Sequence, residues 1–196
     1  MPRRVVIVQG HPDRGGSHLC QALADAYADG ARAGGHEVER IEVARLEFPL
    51  LRTREEFEHG PLPEALRPAQ EAIDKADHLV LIYPLWLGSM PALLQGFLEQ
   101  VFRPGFAFTM EGSGTGRYRK RLRGKSARVV VTMGMPALVY RWYFRAHSLK
   151  CLERNILGFC GIRPVKESLF GMVEAVSAER RGAWLAEMAA LGRAGA

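Results

Sequence analysis

Five short runs rich in β-branched and apolar residues recur along the chain with a helix-like segment between each pair. That alternation restricts the fold more than any other feature of the sequence. The first run, Arg4 to Gln9 (RVVIVQ), is apolar on both faces of its pleat, as a strand covered on both sides must be. The others lie around Val38 to Val43, His78 to Tyr83, Ser126 to Thr132 and Pro164 to Phe170. Between the first two, Leu19, Leu23, Ala26 and Tyr27 recur at three- and four-residue intervals, predicting a helix with Ser17 as N-cap and Gly34 and Gly35 past its end. Further helices are predicted from Ala69 through Ala72, Ile73 and Ala76, from Pro91, and over Ala137 to Leu157 up to Gly158. A last one, capped by Ser177, runs through Trp184, Leu185, Met188 and Leu191. Strands separated by helices imply βαβ units with right-handed crossovers. The expectation is an α/β three-layer sandwich with a five-stranded parallel sheet, filling one domain over residues 1–196.

With 47% hydrophobic and 24% charged residues, the chain can bury a core, which excludes intrinsic disorder as its main state. Cys20, Cys151 and Cys160 form no C-x-x-C pair and no even-numbered framework, so a reducing, cytoplasmic setting is expected. The apolar run before His11 and Pro12 is too short for the core of a signal peptide. Leu79 to Leu98 carries no charge over 20 residues, long enough to span a bilayer, but Pro84, Gly88 and Pro91 interrupt it. It reads as buried strand, turn and helix, not as a membrane span. Leu46 to Pro68 reads as a surface loop with short helical turns, and EGSGTGRYRKRLRGK, 111–125, as a loop or hairpin.

In parallel sheets, ligands bind beyond the carboxyl ends of the strands where strand order reverses. Three loops are placed there: Gly10 to Ser17, Pro84 to Pro91 and Thr132 to Tyr140. In the first, Gly15 and Gly16 permit close backbone approach and Ser17 opens a helix whose free amides suit a phosphate. A tight turn without a ligand explains the same residues. His11-Pro12-Asp13 also resembles the start of a zinc deacetylase motif, but Arg14 replaces its second Asp and the six histidines contain no H-x-x-H pair; no metal site is expected. Gly124 to Ser126 (GKS) has Arg119 where a phosphate loop needs Gly, and GSGTGR at Gly112 to Arg117 follows no strand. In the second loop Trp86, Leu87 and Met90 are suited either to covering a flat aromatic ring or to completing the core.

The block Pro84 to Phe102 (PLWLGSMPALLQGFLEQVF) resembles the signature of the flavodoxin-like NAD(P)H:quinone oxidoreductases, a family related to drug-activity-modulator and general stress reductases. Gly10-His11-Pro12, Thr132-Met133-Gly134 and Phe159-Cys160-Gly161 agree with it. The resemblance implies strand order 2-1-3-4-5, a homodimer with active sites at the subunit interface, and hydride transfer from NAD(P)H through bound flavin to a quinone. It also implies that His11, Ser17 and His18 hold flavin phosphate, that Pro84, Leu85, Trp86 and Leu87 contact the isoalloxazine ring, and that Thr132, Met133 and Gly134 line its other edge. Tyr140 and His147 are the candidates to stabilise its developing negative charge. FMN is the simpler cofactor and FAD the alternative, since no segment reserved for an adenosine half can be read. A flavodoxin-like electron carrier or a non-enzymatic regulatory partner is the alternative function.

The net charge of +6 is equalled by the stretch Arg117 to Lys125 (RYRKRLRGK), which holds six basic residues and no acidic one. A nucleic-acid binder would spread its charge over a docking face with a recognisable motif, and none is present. The run is either a solvated loop or a means of attracting the phosphates of NADPH.

Overall fold

The computed structural model describes residues 1–111 and 117–196. All of GSGTGR but Arg117 therefore lies outside the described residues.

The sheet is built from β1 (Arg4–Gln9), β2 (Glu37–Glu42), β3 (His78–Pro84), β6 (Ser126–Thr132) and β7 (Val165–Phe170), all parallel, in the order β2-β1-β3-β6-β7. This is the expected 2-1-3-4-5 order. Side chains alternate across the pleat, which is why the apolar strands make two cores. Val6, Val8, Leu79, Leu81, Val129 and Val131 face one, and Val5, Ile7, Val80, Ile82 and Val130 the other.

Helices α1 (Leu19–Ala33) and α8 (Ala178–Ala194) cover the second face. They approach so closely that a Cβ on Gly30 would lie 2.0 Å from the Ala189 carbonyl oxygen, and one on Gly192 would lie 2.1 Å from that of Tyr27. Ser177 caps α8 as expected, accepting from the Arg180 N–H. The other face is covered by α3 (Arg67–Lys75), α4 (Ala92–Val101) and the chain after β6. Between β2 and α3 the chain carries only short helical turns and α2 (Arg54–His59), held by the buried Arg103 guanidinium, which donates to the Glu56 and Gly60 carbonyls. The basic insert forms an antiparallel hairpin, β4 (Phe108–Glu111) with β5 (Arg117–Lys120). It is docked by Tyr118 stacking on Phe159 at 4.3 Å. Among the described residues no helix is long and apolar enough to cross a membrane.

Two expectations need correction, and one open alternative is resolved. Helix α1 begins at Leu19, with His18 and not Ser17 as its N-cap; the His18 side chain makes no capping hydrogen bond to the helix, and Ser17 is exposed. Of the two readings open for Met90, covering a ring or completing the core, the structure has the second: Met90 is buried in the core. The single helix over Ala137 to Leu157 is broken into α5 (Ala137–Trp142), α6 (His147–Lys150) and a wide-turned π segment, Cys151–Leu157, that leads into α7 (Gly158–Cys160). Arg145 and Ala146 sit at φ 51° and 48°, in the left-handed region, and turn the backbone there. The apolar spacing survives the break because Tyr140, Leu149, Leu152 and Leu157 all still reach the core. The Tyr140 hydroxyl pins the two sides together, sharing a 2.8 Å hydrogen bond with Ser148 Oγ and accepting one from the Leu149 N–H.

Candidate functional site

The strand order reverses between β1 and β3, and the loops following these strands, with those after β6 and β7, meet beyond their carboxyl ends. Backbone bonds hold them in place. Gly10 N–H donates to Ile82 O at 2.8 Å, Leu85 N–H to Thr132 O at 2.8 Å, and Val173 N–H to Met133 O at 3.2 Å. They enclose a cleft of about 320 Å³ lined by His11, His18, Pro84 to Trp86 and Thr132 to Gly134, with Leu19, Cys20, Val173 and Glu174. Eight of the sequence-predicted residues thus come together. Four do not. Ser17 lines an adjoining cleft, Leu87 is exposed, Tyr140 is buried with its hydroxyl engaged, and His147 is exposed at the start of α6.

The Gly10 to His18 loop ends at the unsealed start of α1, where the free amides of the first turn and the dipole favour an anion. Two imidazoles reinforce this. His11 and His18 stack with centroids 3.7 Å apart. Burial, then the neighbouring His18, lowers the pKa of His11, so it is held neutral. Its Nδ1 accepts from the Asp13 N–H, which leaves Nε2 to carry the hydrogen. Asp13 organises the rest of the loop: one carboxylate oxygen accepts from the Gly15 N–H and the other meets His18 Nε2 at 2.7 Å. The Gly15 N–H, then His18, lowers the pKa of Asp13.

The second loop is a two-residue hairpin in which Trp86 and Ser89 exchange backbone hydrogen bonds at 2.9 Å. Leu87 and Gly88 at its tip have φ 47° and 77°, the signs a type I′ turn requires. Gly supplies this freely, but Leu does so under strain. The turn leaves Trp86 half exposed over the cleft, edge-on to His11 at 6.1 Å. At the floor, Cys20 Sγ lies 3.2 Å from Thr132 Oγ1, and burial pushes the thiol up to about 11, so it is neutral.

The residues missed by sequence reasoning are Leu19, Cys20, Val173 and Glu174. The first two are the first turn of α1, hidden by placing its start too early. The last two belong to the loop after β7, which the parallel topology puts at the same edge. A larger groove, about 980 Å³, runs beside β7 and contains none of the residues the sequence singled out.

A family model described as a flavodoxin-like fold matches residues 3–191. A Haemophilus influenzae protein named as an uncharacterized NAD(P)H oxidoreductase is 29% identical over 189 residues, covering 94% of this chain and 91% of its own. A ribosyldihydronicotinamide dehydrogenase [quinone] of Pongo abelii is 31% identical over 137 residues, covering 66% of this chain but only 56% of its own length. Among solved structures, the NAD(P)H:quinone oxidoreductase from Methanothermobacter marburgensis superposes with a TM-score of 0.83 at 26% identity, covering 98% of each chain.

Proposed function

Because the chain belongs to this flavodoxin-like fold family, we propose that it is a flavin-dependent NAD(P)H oxidoreductase that reduces a quinone or similar acceptor. The observation that carries this reading is the convergence of three βα loops on one cleft at the switch point, with an uncapped helix start at one end and an exposed indole at the other. That donor set fits a flavin, with its phosphate at the start of α1 and its ring against Pro84, Leu85 and Trp86. Bound there, flavin supplies two-electron chemistry between nicotinamide and quinone.

The residues of the chain do the holding. His11 offers an Nε2–H to the phosphate without adding a charge that would need burying, and His18, kept in place by Asp13, lies beside it. Cys20, a neutral thiol, neither repels the phosphate nor acts as a nucleophile. Thr132, Met133 and Gly134 form the far wall, and Leu87, at the exposed turn, serves to hold Trp86. Ser17 acts from the adjoining cleft. Tyr140 acts as a positioning residue for the chain after Gly134, because its hydroxyl is committed to Ser148 and Leu149. His147 has a role only across a subunit interface. The exposed Leu138, Val139, Tyr143 and Phe144 that precede it support a homodimer packed through this segment.

FMN satisfies the first cleft alone. The adjoining cleft, about 590 Å³ and lined by Gln21, Asp25, Arg181 and Leu185, is what supports FAD as the alternative. Three free cysteines and the use of NAD(P)H support a cytoplasmic location. The test is to load the purified protein with FMN or FAD and follow NAD(P)H oxidation with a quinone added. Turnover dependent on both is expected; flavin uptake without nicotinamide oxidation, with a stable one-electron stage in a redox titration, would instead mark an electron carrier.

A further inference from the structure

Strand β7 closes one edge of the sheet, and its outer side is open. Ala127 N–H donates to Pro164 O and Met133 N–H to Phe170 O, so the even-numbered residues of β7 bond to β6. By parallel-ladder geometry Val165, Glu167 and Leu169 turn their N–H and C=O groups away from the sheet. Among the described residues these outward groups have one contact, 3.5 Å from an Arg128 guanidinium nitrogen to Glu167 O. An edge strand left open in this way is a template for another extended chain.

The edge forms the wall of the 980 Å³ groove, and the groove is strongly cationic. Its lining includes six Arg or Lys side chains and two Glu. Arg141 pairs with Glu167, whereas Arg145, Lys150, Arg154 and Lys166 make no ion pair with a described residue. Trp142, 75% exposed, stands among them. Three of these four free cations come from the segment after β6, along the side of the groove that faces α6 and the π segment, and Lys166 comes from β7 itself. A second copy docking groove to groove would bring like charge onto like charge, which disfavours it, and the apolar side chains proposed for the homodimer, Leu138, Val139, Tyr143 and Phe144, do not line the groove.

We infer that this groove is a docking site for an acidic, extended polypeptide segment of a partner protein, which adds to the sheet beside β7. Backbone bonds to Val165, Glu167 and Leu169 supply the pairing, and carboxylates at every second position, ~7 Å apart in a strand, share one face and meet the cations of the segment after β6, Arg145, Lys150 and Arg154. Charge complementarity selects an acidic segment, and the open ladder selects a polypeptide over other polyanions. The inference is independent of the flavin reaction.

The test uses the full-length protein and fluorescein-labelled eight-residue peptides. One alternates Glu with Val, one alternates Gln with Val, one is the Glu peptide with alternate backbone nitrogens methylated, and inorganic polyphosphate serves as the non-peptide anion. Binding is read by fluorescence anisotropy, and backbone engagement by amide hydrogen exchange of Val165, Glu167 and Leu169. The Glu peptide is expected to bind at least 10-fold more tightly than the Gln and N-methylated peptides and to slow exchange at those three amides. The Arg145→Glu and Arg154→Glu variants are expected to lose at least 10-fold in affinity while keeping the wild-type melting temperature. Polyphosphate is expected to leave the three amides exchanging freely. Failure of the Glu peptide to bind, equal binding of the Gln or N-methylated peptide, or unchanged amide exchange in its presence would each overturn the inference.

Discussion

Leu87 shows how one residue can be held against its own preference. It occupies a left-handed position that Gly or Asn would adopt freely, while its side chain is fully exposed and contributes nothing to the core. Replacing it with Gly should therefore raise stability by about 1 kcal/mol, measured by urea unfolding, because relief of strain outweighs a modest entropy cost. His78 illustrates the opposite case, a polar residue whose cost depends on pH. It is buried at the start of β3, with Nδ1 bonded to Ser126 Oγ at 2.8 Å and Nε2 without a partner among the described residues. Burial, then the cations of Arg3, Arg128 and Lys166, pushes its pKa down to about 4. Between the ordinary value of 6.5 and about 4 the unfolded chain binds a proton that the folded one refuses, so stability is lost as pH falls through that window. The contribution is at most about 3 kcal/mol. His78→Gln should lose less stability than wild type between pH 7 and pH 4.5; equal losses would mean that His78 does not set the acid limb. His11→Ala removes a donor from the cleft and the stacking partner of His18, and should weaken flavin binding on the order of 10-fold, or about 1.4 kcal/mol, read by quenching of flavin fluorescence.

Among the elements, the contact between α1 and α8 is the least forgiving. Gly192 meets the Tyr27 carbonyl where no side chain fits, so Gly192→Ala must push the helices apart and should cost about 1–3 kcal/mol, visible as a lower midpoint in urea. The three central strands, β1, β3 and β6, were legible because burial on both faces narrows the residue types they can use, and Ser126 to Thr132 coincides with β6 to the residue. The segment after it was not. Apolar residues at helical spacing continue through Ala137 to Leu157, but two non-glycine residues in the left-handed region, Arg145 and Ala146, break the helix between them. Nothing in the identities of Arg145 and Ala146 announces that conformation. The start of α1 was misplaced for a related reason: Ser17 has the chemistry of a cap, but the chain turns one residue later and leaves the helix open. That opening is the part of the site most suited to a phosphate.

At the scale of the whole molecule, charge and topology carry the remaining consequences. The basic run that equals the net charge lies on the hairpin and the chain after it, and part of it is already committed. Lys120 donates to the Gly158 carbonyl and Lys125 to the carbonyls of Asp74 and Ala76. Arg119 and Arg121 remain exposed. If they attract NADPH, Arg119→Gln with Arg121→Gln should raise the KM for NADPH more than for NADH, with the gap closing at high salt; equal effects would leave the hairpin as solvated surface. The three site loops were legible from the alternation of strands and helices, because parallel topology sends every strand end to one edge. The same rule contains the loop of Val173 and Glu174, whose residue types gave no separate signal. Whether the cleft holds a working flavin is decided by the absorbance spectrum of the purified protein after incubation with flavin and removal of the excess. Flavin bands should be present, bleach on adding NAD(P)H and return on adding a quinone; a protein that stays colourless is not a flavin oxidoreductase.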